Sequence, residues 1–233
     1  MAGFKTHVTT SSVLGIAYGG VAFYQHVPLP TCLLATGLCG VSGMLPDLDS
    51  DSGRPLRESV TFAAAVVPMM LVGRMERMEW PMESIVLAGA IIYLSIRWGL
   101  AWILKKFSVH RGMFHSIPAM FIFGLIAFLL VESPDMMIRY YKAGAVMAGY
   151  LSHLVLDEIW SIDFRHFRLK SSFGTALKLW GDNTWANIST YAKLAALTYV
   201  AIQDPMWMYN LHHNPHSEAL QEIAGSEPEN IAR

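Results

Sequence analysis

Six apolar runs, each closed by a short polar break, leave this chain few folds to choose between. They cover 8–24, 29–45, 60–72, 84–104, 117–131 and 143–159. Of 233 residues, 53% are apolar and only 15% charged, against about a quarter charged in an ordinary soluble domain. Backbone polar groups in a bilayer must be satisfied within the segment, so runs of this kind are helical. Several fall short of the roughly 20 residues a full span prefers, and a buried soluble bundle is the alternative for those. Glycines 15, 19, 20, 37, 40 and 43 permit close helix approach, and Trp80, Trp98, Trp102 and Trp160 stand near run ends, as interfacial aromatics do. The expected fold is all-α, a polytopic membrane bundle of about six spanning helices. A seventh candidate, 185–202, is ambiguous because Asn187, Ser189 and Thr190 are polar and Lys193 falls mid-run.

The divisions that follow are a membrane-embedded metal-binding, hydrolase-like domain at 1–181, an additional helix at 182–203 and a polar tail at 204–233. Lys5 precedes the first run as in a signal peptide, but no small-x-small cleavage site follows, so the run is expected to be retained. A net charge of −1 predicts no general affinity for nucleic acid. Cys32 and Cys39, about two helical turns apart, are too distant for a disulfide and read as small buried apolar residues.

Six spans would put the breaks alternately on two sides. One side gathers Lys5, Arg54, Arg57, Lys105, Lys106, Arg111, Arg165, Arg168, Lys170 and Lys178; the other gathers Arg74, Arg77, Arg139 and Lys142. Ten against four makes the first side cytoplasmic. The same bookkeeping sorts the ligand-type residues. His7 precedes the first span, Asp47 and Asp49 follow the second, and His110 and His115 lie between the fourth and fifth. His153 and Asp157, spaced i, i+4, share one face near the end of the sixth. All seven fall at the cytoplasmic end, a coincidence that chance placement does not favour. Four imidazoles and three carboxylates at one depth suit one or two divalent metals of about four to six ligands each. Singly, Pro46-Asp47 reads as a helix-ending turn and His153 as a core histidine; together, ionisable groups at that depth read as functional.

The segments Pro46-Asp47-Leu48-Asp49, His110-Arg111-Gly112-x-x-His115-Ser116 and Gly149-Tyr150-Leu151-Ser152-His153-x-x-x-Asp157, with His7 ahead of them, resemble the bacterial inner-membrane metal-dependent hydrolases of the YdjM-like group. The resemblance covers roughly residues 1–180. It implies a distant relation to zinc-dependent phospholipase C, and through it a phosphoester hydrolase. Phe114 departs from that pattern, standing where threonine is usual.

The expected function is a membrane-bound metal-dependent hydrolase, its site at the cytoplasmic face of the inner membrane. His7, Asp47, Asp49, His110, His115, His153 and Asp157 are the expected ligands of one or two ions, zinc first, manganese or iron as substitutes. Asp49 is the candidate base and Arg111 the group that steadies phosphate charge. The expected partners are the bilayer and a lipid-like or phosphorylated small substrate; oligomeric state is left open. The alternatives are a structural metal site, whose shell would be closed, and a divalent-metal transporter, which needs ligands near the midplane.

Overall fold

The computed structural model describes residues 3–49, 53–100, 102, 113–131, 133, 135–163, 168–169, 174 and 176–205. Among them are seven α-helices: α1 Phe4–Tyr24, α2 Leu29–Ser42, α3 Arg54–Arg77, α4 Met82–Leu94, α5 Ile117–Leu130, α6 Met136–Trp160 and α7 Thr184–Ile202. A 3₁₀ turn, Leu45–Asp49, follows α2, and α4 runs on into a π turn, Ser95–Leu100. Among the described residues, one short antiparallel pair, Ile162 with Leu169 and Asp163 with Arg168, interrupts the succession of helices.

Local chemistry sets the helix starts. Ser116, Asp135 and Asn183 cap α5, α6 and α7, each side chain accepting a backbone N–H of the first turn. Pro30, Pro55 and Pro118 sit in the first turn of α2, α3 and α5, where a missing N–H costs nothing. Gly53, at φ +61°, begins α3 in a left-handed conformation that favours glycine.

The all-α bundle expected from the sequence is what forms. Two helical stretches, Pro55–Arg77 and Met82–Gly99, are long and apolar enough to cross a membrane, and Leu29–Ser42 and Ile117–Leu130 are apolar but shorter. The runs themselves shift. The third extends both ways into α3, the fourth passes from α4 into a π turn at Ser95–Leu100, and the sixth begins seven residues earlier, at Met136. Much of the outer surface is apolar: Val13, Ile16, Val86, Leu87 and Ile91 are among the exposed side chains. An exterior with so many exposed apolar side chains suits lipid or a partner better than water.

Helix α6 is the axis. Helices α1, α2 and α5 pack on it, α7 packs on α5, and α3 pairs with α4 while leaning on the 3₁₀ and π turns. Gly149 makes the α2–α6 approach possible, since a Cβ there would overlap the Cys39 carbonyl oxygen and Ser42 Oγ. A reciprocal tyrosine pair fixes α1 against α6. Tyr18 donates to the Tyr141 carbonyl at 2.9 Å, Tyr141 donates to the Tyr18 carbonyl at 3.0 Å, and their rings stack at 4.6 Å. His7 lies about three turns from Tyr18, and His153 just over three turns from Tyr141. The antiparallel pair is therefore held in register where the histidines meet.

Helix α7 runs alongside α5. Near its start, Gly181 lies against Met113 and the Lys178 carbonyl accepts the Ile117 N–H at 3.1 Å. Just past its end, Asp204 forms a bidentate pair with buried Arg139 at 2.8 and 2.7 Å, and Arg139 also donates to the Phe128 carbonyl at 3.3 Å. The start of the stretch expected to be a loose tail is thus pinned to α6 and α5. Cys32 and Cys39 are buried and free, as expected.

Candidate metal centre

Four separate parts of the chain deliver side chains to one end of the bundle. His7 comes from the end of the first turn of α1, Asp47 from the 3₁₀ turn, His115 from the residue before the α5 cap, and His153 and Asp157 from the last turns of α6. His7 Nε2 lies 3.2 Å from Asp157 Oδ1, and His115 Nε2 lies 3.4 Å from Asp47 Oδ1 and 3.8 Å from Asp157 Oδ2. His153 Nε2 lies 3.7 Å from Asp47 Oδ1 and 3.5 Å from Asp157 Oδ2. The rings of His7 and His153 stack at 3.6 Å, and His115 meets His153 edge-on at 5.4 Å.

This arrangement fits a cation better than it fits a hydrogen-bonded cluster. Donors held about 2.0–2.1 Å from one tetrahedral ion stand about 3.3–3.4 Å from one another, close to the separations seen. Ligand atoms of His7, Asp47 and His153 lie within 4.8 Å of one another, as do those of His115, His153 and Asp157. His7 Nδ1, both ring nitrogens of His115, and His153 Nε2 are buried without a hydrogen-bond partner. Leaving such groups unpaired costs about 1–3 kcal/mol each, and coordination would remove that cost at the nitrogens that turn inward.

The protonation pattern of His153 is set by the fold. Its Nδ1 lies 2.7 Å from the Gly43 carbonyl. A carbonyl can only accept, so Nδ1 carries the proton and the Nε2 lone pair faces the cluster, as in metal-ligating histidines oriented from behind. Because that single lone pair serves both groups of donors, the described ligands fit one ion. A second would need Asp47 or Asp157 to bridge. Burial opposes ionisation of Asp47, but the neighbouring His115, His153 and His7 outweigh it. The carboxyl is held below its ordinary value. Among the five described side chains Asp47 is the most accessible, 26% exposed where Asp157 is 2%, so access to the cluster is from its side.

The loop carrying His115 is braced. Ser116 Oγ donates to the Met113 carbonyl at 2.5 Å and accepts the Ala119 N–H at 3.3 Å. Buried Tyr150, one turn before His153, donates to the Phe114 carbonyl. The Phe114 ring turns away and packs with Leu48, Leu56 and Val60.

Of the expected ligands, the structure brings together His7, Asp47, His115, His153 and Asp157. His110 and Arg111 lie outside the described residues, and for Asp49 only the backbone, at the end of the 3₁₀ turn, is described. Sequence reasoning gave Gly43 a part only in close helix approach, and Gly149 and Tyr150 none beyond membership of a motif. Gly149 and Tyr150 were visible inside the motif around His153, while the Gly43 contact is long-range and carried no signal.

The chain belongs to the YdjM inner membrane protein family, whose model matches residues 1–209 and so takes in all seven helices. No curated protein and no solved structure matches it. These comparisons therefore lend no support to a relation with phospholipase C.

Proposed function

We propose that this inner-membrane family member is a metal-dependent hydrolase of phosphoester bonds, multi-pass, with its site at the cytoplasmic end of the bundle. The observation that carries the reading is the convergence of three buried imidazoles and two carboxylates, with unpaired nitrogens turned inward and His153 oriented by Gly43. The excess of basic residues on the site's side of the chain supports the orientation. His7, Asp47, His115, His153 and Asp157 would hold the ion, with His110 and Asp49 adding to the set. Zinc suits this mix of nitrogen and oxygen donors, and manganese and iron are the substitutes. A bound divalent ion supplies a water of pKa about 7 and polarises a phosphoryl oxygen.

The chain's own residues do the rest. Asp49, two residues beyond Asp47, takes the proton from the attacking water. Arg111, four residues before His115, offers a planar fork of donors to the phosphate oxygens. The partial exposure of Asp47 gives substrate its entry. One observation favours a second reading, a structural metal: five donors already stand within reach, enough to close a shell.

Elemental analysis of purified protein, beside turnover of phosphomonoester and phosphodiester probes, separates the two. Bound metal and turnover are expected. Arg111→Ala and Asp49→Asn should keep the fold and Arg111→Ala the metal, yet each should slow turnover, Asp49→Asn by on the order of a hundredfold. A metal-replete wild type that is inactive on lipid, nucleotide and generic phosphoesters would favour the structural site.

A further inference from the structure

We propose that the apolar cleft between α2, α3 and α5 takes one acyl chain of a phosphate-headed bilayer lipid, with the headgroup at the histidine–aspartate cluster. The headgroup part of this assignment rests on the phosphoester reading above; the chain-binding part does not. The cleft has a volume of about 820 Å³; Val41, Val66, Met70 and Ile122 are typical of its walls, and the first turns of α7 close one side with Ala186 and the polar Lys193. It exists because α3 packs on α4 and the two short turns and barely touches α2 and α5. A gap of that size between apolar helices is occupied by lipid in a membrane, since an empty apolar void forfeits its contacts.

Its position points to a chain attached to a headgroup. At one end it is walled by Leu45 and Leu48, which flank Asp47, and by Met113 and Phe114, which precede His115. At the other end Arg74 Nη2 donates to the Leu129 carbonyl at 3.0 Å, pinning α3 to α5 beyond Met70. Along α5 the lining runs from Ala119 to Leu130, a rise of about 16 Å. Half the hydrocarbon thickness of a bilayer is about 15 Å, so the cleft has the depth of one leaflet. Ser59 is an independent sign. Its side chain is buried, its hydroxyl has no partner, and it lines the cleft one turn from Leu56 and Pro55, near the metal end. A hydroxyl there is placed to donate to an ester or glycerol oxygen just below a phosphate. Such a headgroup would pass the more exposed side of the cluster, at Asp47.

The test uses the metal-loaded, full-length protein in phosphatidylcholine vesicles containing phosphatidic acid with a mid-chain diazirine. Irradiation should label peptides of α3 and α5 that line the cleft well above the lipid-facing residues Val86 and Ile91 of α4. Ala63→Phe and Val66→Trp, which fill the cleft from α3, should each cut cleft labelling at least fivefold and leave α4 labelling unchanged. Equal labelling of cleft and α4, or cleft labelling that survives both substitutions, would overturn the assignment. Cleft labelling of a protein that hydrolyses no phosphoester would uphold the chain site and remove the catalytic reading. Hydrolysis of a water-soluble phosphoester without cleft labelling would do the reverse.

Discussion

Replacing Gly149 by alanine tests whether the metal centre depends on how closely α6 approaches α2. The added methyl would overlap the Cys39 carbonyl oxygen and Ser42 Oγ, whereas carbon and oxygen ordinarily stop at about 3.3 Å. Because the main obstacle is backbone, α6 must retreat by about an ångström. His153 lies four residues on, on the same face, and its Nδ1 is 2.7 Å from Gly43 at the end of α2. The same retreat would stretch that bond and draw Nε2 away from His7 and Asp47. Overpacking of a tight interior costs about 1–3 kcal/mol, and about 1.4 kcal/mol is a factor of ten in affinity. Metal affinity should therefore fall roughly ten- to hundredfold, with a lower melting temperature. Gly124→Ala is the control, since its methyl would meet only the Met147 side chain, at 2.6 Å, and an unbranched thioether moves aside cheaply. The assay is metal retained against chelators of graded strength, beside thermal unfolding in detergent. A Gly149→Ala protein that matches Gly124→Ala in both measurements would refute the coupling.

Three further outcomes are expected. His153→Ala and Asp157→Ala should each lower metal content while His212→Ala and His216→Ala should not; equal loss across both pairs, read by elemental analysis, would remove the ligand assignment. Arg139→Met and Asp204→Leu should each destabilise the bundle by about 3–5 kcal/mol through the buried charge left behind, and the double substitution should recover much of that, as a thermal unfolding cycle would show. Because α7 runs alongside α5 in the same direction, a reporter fused after residue 205 should lie on the opposite side of the membrane from a cysteine at exposed Arg57→Cys, at the cluster end of α3, by impermeant-thiol and reporter assays.

Much of the centre was legible because depth is a one-dimensional property. Counting apolar runs is enough to place His7, Asp47, His115, His153 and Asp157 at one end of their helices, and the i, i+4 spacing is enough to align the last two. Periodicity carries nothing about which turn of α1 faces which turn of α6. That register comes from the Tyr18–Tyr141 pair, a contact between residues 123 positions apart. Run boundaries failed for a related reason. Met136 to Lys142 carries Arg139 and Lys142, so hydropathy reads it as a break. Asp135 nonetheless caps a helix there, and Asp204 neutralises Arg139 from the far end of the chain. Phe114 looked like a lost hydroxyl at the site. In the fold its ring serves the Leu48–Val60 cluster, and only its carbonyl, held by Tyr150, bears on His115.

Charge buried in an apolar bundle is costly wherever it occurs, and this chain answers that cost in two different ways. At the end away from the cluster, Arg139 meets both oxygens of Asp204, the Phe128 carbonyl, and the face of the Phe128 ring at 4.2 Å, so only its Nε lacks a partner. That is how a purely structural ion pair is satisfied, partner for partner. At the other end, three imidazoles share two carboxylates: His7 meets Asp157 at 3.2 Å, the other contacts are 3.4–3.8 Å, and four ring nitrogens have no partner. The same fold that saturates Arg139 so fully leaves these ring nitrogens without partners, yet braces the histidines with Gly43, Ser116 and Tyr150. Donors held rigidly around a shared centre, and not around one another, are arranged for a guest. The contrast between the two ends supports reading the cluster as a cation site.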